Sequence, residues 1–111
     1  MDAALSEKLK TIVLVVLDVD GVLTDGKIMI DDLGNESKHF HVRDGHGLKL
    51  LMRGGVDVAL LTGRTSEVVN HRARELGITT VCQGAKDKAQ VLAEMLAEKH
   101  ISHERVAYVG D

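Results

Sequence analysis

The residues best suited to chemistry lie directly after each of four predicted strands. The segments are Asp18–Gly26 (DVDGVLTDG), Thr62–Arg64, Gln83–Lys88 and Gly110–Asp111. In parallel α/β sheets, ligands bind beyond the carboxyl ends of the strands, where such segments meet. Their carboxylate, hydroxyl and ammonium groups are the types that bind a phosphate and a divalent cation. The sequence therefore predicts a phosphate site and a metal site at one edge of a sheet.

The acidic residues Asp18, Asp20 and Asp111 are the candidate metal ligands. Two carboxylates about 4 Å apart repel by roughly 4 kcal/mol at an effective dielectric near 20, and a cation removes that repulsion. Oxygen ligands favour a hard cation such as Mg²⁺. An isolated Asp-x-Asp more often ends a strand and forms a turn. The nine-residue DVDGVLTDG after a buried strand is more specific and favours the metal site.

Thr62 and Lys88 are the candidate phosphate-binding residues. The Thr62 hydroxyl could donate to a phosphate oxygen, and Lys88 lies where a helix is predicted to begin, so its ammonium and the helix dipole both favour an anion. Taken singly, Thr62 is more often a turn or cap residue and Lys88 a surface lysine. Their placement after successive strands favours the phosphate site.

Further basic residues could bind a phosphate or a carboxylate, in the case of arginine through two hydrogen bonds. A solvated surface explains two of them, Lys49 and Arg72, about as well. The set is Arg43, Lys49, Arg64 and Arg72.

Three histidines raise the alternative of a zinc site. His39 and His41 share one face of a predicted strand, and His46 is close by. Zinc sites in proteins use three or four well-spaced ligands, and no neighbouring cysteine completes this set. We therefore favour polar strand and loop histidines. The cysteine Cys82 ends a predicted strand and is expected in the core, since no base accompanies its thiol.

Strands and helices alternate along the whole chain, which predicts an α/β fold: a doubly wound, Rossmann-like parallel sheet with a small β-hairpin insertion. The chain ends directly after a strand, without the helix that the alternation leads one to expect, so we expect a C-terminally shortened chain. The predicted strands are Thr11–Leu17, Val56–Leu61, Thr79–Cys82 and Val106–Val109, with a hairpin of Lys27–Ile30 and Glu36–Val42 around Asp31–Asn35; the predicted helices are Gly47–Arg53, one capped by Thr65 or Ser66 and ended by Gly77, and Asp87–His100.

The composition excludes several classes of protein. The 111 residues, 44% hydrophobic and 28% charged, suit a single globular domain. The longest apolar run, Ile12–Leu17, is too short to cross a membrane. One cysteine favours the cytoplasm. A net charge of −3 and 2% aromatic residues give no basic surface or stacking platform for nucleic acid.

Four motifs resemble those of the haloacid dehalogenase-like phosphotransferases. Asp18-Val19-Asp20-Gly21-Val22 is similar to the first motif of that superfamily, Thr62 to its second, Lys88 to its third, and Gly110-Asp111 to the start of its fourth. Within the superfamily, the chain from about Lys10 onward resembles the 3-deoxy-D-manno-octulosonate 8-phosphate phosphatases. That closer resemblance rests on Leu23–Gly26, Phe40–Gly47 and Leu61–Arg64.

The resemblance implies a role for each catalytic residue. Asp18 would attack phosphorus to form an aspartyl-phosphate, and Asp20 would act as general acid and then general base. Mg²⁺ would be held by Asp18, the backbone carbonyl of Asp20, and Asp111, while Thr62 and Lys88 would hold the phosphoryl oxygens. The resemblance also implies a set of residues that contact the substrate, a small sugar-acid phosphate. This set is Asp20, His41, Val42, Arg43, Asp44, Gly45, Lys49, Arg64, Arg72 and Lys88.

The resemblance also implies an architecture, with one domain spanning residues 1–111 and no separate cap domain. The hairpin between Lys27 and Val42 fits the first insertion site of the superfamily, and the resemblance suggests a homotetramer in which hairpins cover neighbouring sites. A plain surface hairpin is the alternative. The second acidic residue of the fourth motif and the family's final strand, helix and Gly-rich basic tail do not follow Asp111.

Two alternative functions remain at this point. A receiver-like signalling module is also a small α/β domain with an acidic magnesium site, but it carries its phosphorylated aspartate after a middle strand, where this chain has Thr62. A non-catalytic, tetramer-forming relative of the kind fused to sugar-nucleotide synthetases is the second alternative. The presence of both Asp18 and Asp20 argues against it.

Overall fold

A computed structural model describes residues 10–110 of the chain. A parallel four-stranded sheet in the order β5-β4-β1-β6 is its central element, and β2 and β3 form a separate antiparallel pair. In chain order the elements are β1 (Leu14–Leu17), β2 (Met29–Ile30), β3 (Glu36–Ser37), α1 (Val42–Arg53), β4 (Asp57–Leu61), α2 (Glu67–Leu76), β5 (Thr80–Cys82), α3 (Lys88–Lys99), a 3₁₀ turn (His103–Arg105) and β6 (Val106–Val109).

The central strands are buried on both faces, as their continuous apolar sequences predict. Alternate residues of β4 supply the two faces: Val58 and Leu60 join the core cluster that contains residues of α1 and α2, whereas Ala59 and Leu61 join the cluster that contains residues of α3. Helices therefore cover both faces, and the predicted doubly wound α/β architecture is confirmed.

The strand order puts the end of β1 at the point where the chain changes direction across the sheet. From β1 the chain proceeds to β4 and β5 on one side, and β6 then pairs with the other side of β1. Such a switch point leaves a crevice at the carboxyl ends of the strands, and this is where open α/β sheets bind ligands.

The end of α2 and the start of α3 follow the signals in the sequence, whereas the start of α2 lacks its predicted capping bond. Gly77 ends α2 in the left-handed conformation at φ 81°, and Asp87 caps α3 by accepting from the amide of Gln90. Ser66 precedes α2, but its side chain makes no capping bond; instead the Ser66 amide donates to Gln83 Oε1 at 2.8 Å. Within residues 10–110, no helix has the length and apolar character that crossing a membrane requires.

The hairpin is shorter than predicted. Its turn is built on Asp31, whose Oδ1 accepts from the amides of Leu33 and Asn35, while Gly34 takes φ 84°. The predicted strand Glu36–Val42 is wrong beyond Ser37, although Phe40 still forms a single bridge to Thr24.

The first helix begins earlier than predicted, at Val42 rather than Gly47. His41 is its N-cap, with Nδ1 accepting from the amide of Arg43 at 3.1 Å, so the predicted strand face shared by His39 and His41 is wrong. The capping bond satisfies a free amide at the helix start, which offsets the low helix propensity of two glycines.

Other boundaries shift by small amounts. The strand predicted from Thr11 begins at Leu14, and those predicted from Val56 and Thr79 each begin one residue later. The helix predicted over Asp87–His100 has those two residues as its caps. The predicted strand Val106–Val109 is confirmed at both ends.

Candidate active site

Asp18 is fixed at the switch point by its backbone and its side chain. It follows the last residue of β1, and its amide donates to the carbonyl of Val109 at 2.9 Å, which ties it to the end of β6. Asp18 Oδ1 accepts from the amide of Val19 at 2.7 Å, and only 7% of the residue is exposed. The carboxylate is therefore buried and oriented, as a nucleophile requires.

Lys88 reaches Asp18 from the first residue of α3. Its Nζ lies 2.7 Å from Asp18 Oδ2. The hydrogen bond to Asp18 raises the pKa of the Lys88 ammonium above its ordinary value, in spite of the opposing effect of burial. The positive charge of Lys88 therefore lies directly beside the Asp18 carboxylate.

Thr62 directly follows β4, and its backbone is bonded to the end of β5 and the loop after it. Its amide donates to the carbonyl of Cys82, and its carbonyl accepts from the amide of Ala85, at 2.9 and 3.0 Å. A Cβ placed on the next residue, Gly63, would be 4.0 Å from Lys88 Cε, so the Thr62–Gly63 loop passes beside the lysine. The structure therefore brings Asp18, Thr62 and Lys88 to one edge of the sheet.

The loop after Asp18 folds back on its own backbone. The carbonyl of Val19 accepts from the amides of Val22, Leu23 and Thr24, while Thr24 Oγ1 accepts from the amide of Gly26 at 3.1 Å. Gly21 and Gly26 both have positive φ, and a Cβ on Gly26 would lie 3.7 Å from Gly21 Cα. The glycines of DVDGVLTDG thus permit a tight turn at the mouth of the site.

The donor set at this edge suits a hard cation. Asp18 supplies a carboxylate, and the carbonyl oxygen of Asp20 accepts no hydrogen bond from any residue between 10 and 110. An all-oxygen set of this kind is the type that Mg²⁺ binds. Asp111, the third predicted ligand, lies outside the described residues. The described part of the chain brings no three His, Cys, Asp or Glu side chains together as a metal-binding group, and the three histidines of the zinc alternative form none.

Asp20 has a partner that the sequence analysis missed. Lys38 Nζ lies 2.6 Å from Asp20 Oδ1 and 3.4 Å from Glu36 Oε1, and the Lys38 side chain is 1% exposed. A signal for Lys38 is present in the sequence. Lys38 shares one face of the predicted strand with Glu36 and Phe40, because these are alternate residues. The residues between them are exposed, so Lys38 lies on the inward face of the hairpin.

Arg64, predicted to contact substrate, pairs with Glu36 at 3.2 Å, and its side chain is half exposed. Apart from Asp20 and Lys88 at the sheet edge, the other predicted substrate residues lie on or near α1 and the face of α2 next to it. His41 and Asp44 line a pocket beside Thr24 and Asp25.

A second depression lies next to the first, and its lining includes Gly45, Lys49 and Arg72. The Arg72 guanidinium lies 5.8 Å from the centre of the Phe40 ring. Val42 and Arg43 are exposed in the first turn of α1. Within residues 10–110, none of these side chains hydrogen-bonds to Asp18, Asp20, Thr62 or Lys88, so their role in substrate binding stays a prediction.

Comparison with known proteins shows which enzymes the chain resembles. The chain is 45% identical over 98 residues to the 3-deoxy-D-manno-octulosonate 8-phosphate phosphatase of Yersinia pestis, a match that covers 88% of this chain and 52% of the relative. It also superposes with a TM-score of 0.94 on the enzyme of that name from Moraxella catarrhalis, at 40% identity over 100% of this chain and 64% of that one. The chain is thus similar in both sequence and fold to 3-deoxy-D-manno-octulosonate 8-phosphate phosphatases.

A Legionella pneumophila structure described as a HAD superfamily (subfamily III A) hydrolase is also similar. It matches 95% of this chain and 58% of its own, at 46% identity and a TM-score of 0.90. No protein-family model matches the chain. The chain spans between 52% and 59% of the length of the curated relatives that it matches. These similarities do not favour the receiver-like or the non-catalytic alternative.

Proposed function

We propose that the protein is a magnesium-dependent phosphatase that hydrolyses 3-deoxy-D-manno-octulosonate 8-phosphate to the free sugar acid and inorganic phosphate. The reaction proceeds through an aspartyl-phosphate and serves lipopolysaccharide precursor synthesis in the cytoplasm. The observation that carries this proposal is the buried Asp18 carboxylate, held by Lys88 at 2.7 Å and followed two residues later by Asp20. The Moraxella catarrhalis relative, whose structure is described as a complex with magnesium, phosphate and the sugar acid, supports the choice of substrate and metal.

The first half-reaction transfers the phosphoryl group to Asp18. An oxygen of the Asp18 carboxylate forms a bond to phosphorus while the bond from phosphorus to the sugar oxygen breaks. Asp20, as a carboxylic acid, gives its proton to that leaving oxygen, because an alkoxide is a poor leaving group. The Lys88 ammonium and the Thr62 hydroxyl bind the phosphoryl oxygens and offset their charge.

The second half-reaction regenerates the enzyme. The Asp20 carboxylate takes a proton from a water molecule as that water attacks phosphorus, and the bond from phosphorus to Asp18 breaks. Asp18 returns to a carboxylate and Asp20 to a carboxylic acid, so the proton balance closes over one cycle. Mg²⁺ would be held by the Asp18 carboxylate, the Asp20 carbonyl and Asp111, and would supply positive charge that offsets the charge of the phosphoryl group.

The same proposal covers the substrate's sugar-acid portion and the assembly. Cationic side chains near the α1 start, among them Arg43, Lys49 and Arg72, bind the carboxylate and hydroxyl groups of the sugar. Residues 1–111 act as one haloacid dehalogenase-like domain, and four copies assemble so that each hairpin covers a neighbouring site. Exposed apolar side chains on the hairpin support this arrangement: Met29, Ile30 and Leu33 are 51%, 64% and 87% exposed.

Phosphate release from a panel of sugar-acid and hexose phosphates, with and without Mg²⁺, tests the proposal. We expect steady turnover that is fastest on the octulosonate 8-phosphate and is lost on chelation. Asp18→Asn should lower turnover at least about 10⁴-fold, as removal of other nucleophiles does. Asp57→Asn, a matched change of an exposed aspartate at the start of β4, should leave turnover unchanged. A single stoichiometric phosphorylation without turnover would contradict the proposal and favour the receiver-like function.

A further inference from the structure

Lys38 is a buried lysine that lies between two carboxylates. Its side chain is 1% exposed, and lysine is seldom buried to this degree unless it is paired. Its ammonium binds Asp20 at 2.6 Å and Glu36 at 3.4 Å, and Glu36 also binds Arg64 at 3.2 Å. These four charged groups form a row: Arg64 in the loop after β4, Glu36 and Lys38 in the hairpin, and Asp20 in the loop after β1.

Stability alone does not account for this row. The cost of removing an ammonium and a carboxylate from water roughly cancels their attraction, so a buried ion pair adds little to the free energy of unfolding. An apolar side chain of similar length would fill the same space without that cost. What the ion pair does provide is a fixed position for the Asp20 carboxylate, whose side chain is otherwise 23% exposed at the mouth of the site.

The hydrogen bond from Lys38 makes the two carboxylate oxygens of Asp20 different. Lys38 occupies Oδ1, while Oδ2 has no hydrogen-bond partner among residues 10–110. The contact to Lys38 therefore fixes the position of the Asp20 carboxylate without using Oδ2.

We propose that Lys38 is a positioning residue for Asp20: it holds Oδ1 so that Oδ2 exchanges a proton with the leaving oxygen and then with water. Glu36 holds Lys38 in place and is itself held by Arg64. This inference rests on the proposed function, in which Asp20 is the general acid and base. It assigns the hairpin a part in the chemistry of its own chain, separate from any part in covering a site.

Lys38→Met, with two substrates, tests the inference. The ratio kcat/KM covers only the steps up to departure of the leaving group. An alkyl phosphate such as the octulosonate 8-phosphate needs the proton from Asp20 in those steps, whereas p-nitrophenyl phosphate does not. Because general acid catalysis contributes about 10²–10⁴-fold, we expect Lys38→Met to lower kcat/KM at least about 30-fold for the alkyl phosphate and less than about threefold for the aryl phosphate. Lys99→Met, at the last residue of α3, should change neither.

A double-mutant cycle separates positioning from a general loss of structure. In the Asp20→Asn background, Lys38→Met should have no further effect on either substrate, since the residue it positions is gone. Equal losses on both substrates, or an undiminished loss in the Asp20→Asn background, would overturn the inference, and so would an unchanged alkyl-phosphate rate. These results leave the proposed function standing if the wild-type protein turns over. A wild type that releases no phosphate from either substrate overturns the proposed function and the inference together.

Discussion

The sheet edge and the hairpin supply charged groups to the same site but position them in different ways. At the sheet edge, Asp18 follows a buried strand, and its backbone is bonded to β6 while its side chain is bonded to Lys88. In the hairpin, two short paired strands carry mostly exposed side chains, and Lys38 is held by ionic contacts at its far end.

The difference shows that precision at this site has two sources. The positions of the strand ends are fixed by core packing on both faces of the sheet. Asp18 therefore needs few side-chain contacts to be oriented. The hairpin has no such core, and its contribution depends on charge pairing across loops. We therefore expect changes at the sheet edge to affect chemistry most, and changes in the hairpin to affect chemistry through Asp20 or to affect stability.

The largest effect in this comparison should come from Lys88. Lys88→Met removes the charge that offsets the phosphoryl oxygens, and loss of one such group typically costs about 10²–10³-fold in rate. Steady-state phosphate release should show that loss for alkyl and aryl phosphates alike, unlike the selective loss at Lys38. Lys86→Met, at an exposed lysine in the same loop, is the matched control. Similar rates for the two variants would refute the role of Lys88.

A pair of glycines in α1 should give the next largest effect, on stability. A Cβ at Gly45 would lie 2.5 Å from Arg72 Nη2 and 2.9 Å from Leu76 Cδ2, whereas one at Gly47 would meet nothing within 4 Å. We expect Gly45→Ala to lower the free energy of unfolding by about 1–2 kcal/mol through crowding. Gly47→Ala should raise it by about 0.5–1 kcal/mol through helix propensity. Urea unfolding measures both, and stabilisation by Gly45→Ala would show that α1 and α2 are not packed as described.

The smallest effect should be the acid sensitivity of the hairpin row. Burial acts to raise the pKa of the Glu36 carboxyl, but the charge of Lys38 and the hydrogen bonds from Arg64 and Lys38 outweigh it, so the pKa lies below its ordinary value of 4.5. A carboxyl whose pKa is lowered on folding stabilises the protein above its unfolded-state pKa, and this contribution is lost as the pH falls through the folded-state value.

Glu36→Gln should therefore make the free energy of unfolding less dependent on pH below 4.5, as measured by urea unfolding between pH 3 and pH 6. Glu75→Gln, at an exposed residue of α2, should retain the slope of the wild type. Identical slopes for all three proteins would mean that Glu36 is not paired in solution.

Much of the fold and half of the site follow from local patterns in the sequence. The β-branched run before Asp18 predicts a strand buried on both faces, and Gly77 predicts the left-handed end of α2. Because the carboxyl ends of parallel strands meet at one edge of the sheet, the sequence predicts that Asp18, Thr62 and Lys88 lie close together. These predictions succeed because the physics is local, or is fixed by the topology of parallel sheets.

The remainder depends on contacts between distant residues. The predicted start of α1 is wrong because alternation around Phe40 is typical of a strand and two glycines disfavour a helix. In the structure, the His41 cap and the packing of Gly45 against Arg72 stabilise the earlier start. Lys38 was missed because a lone lysine in a hairpin is usually solvated. Its burial depends on Asp20, eighteen residues away, and on Glu36.

Identification of the phosphorylated residue is the most direct test of the proposed phosphoryl transfer to Asp18. The protein is mixed with substrate labelled in its phosphate, quenched in acid within one turnover, and examined by peptide mass spectrometry. We expect a phosphoryl group on Asp18 in the wild type and none in Asp18→Asn. Label on another residue, or phosphate release that persists in Asp18→Asn, would contradict the proposed transfer.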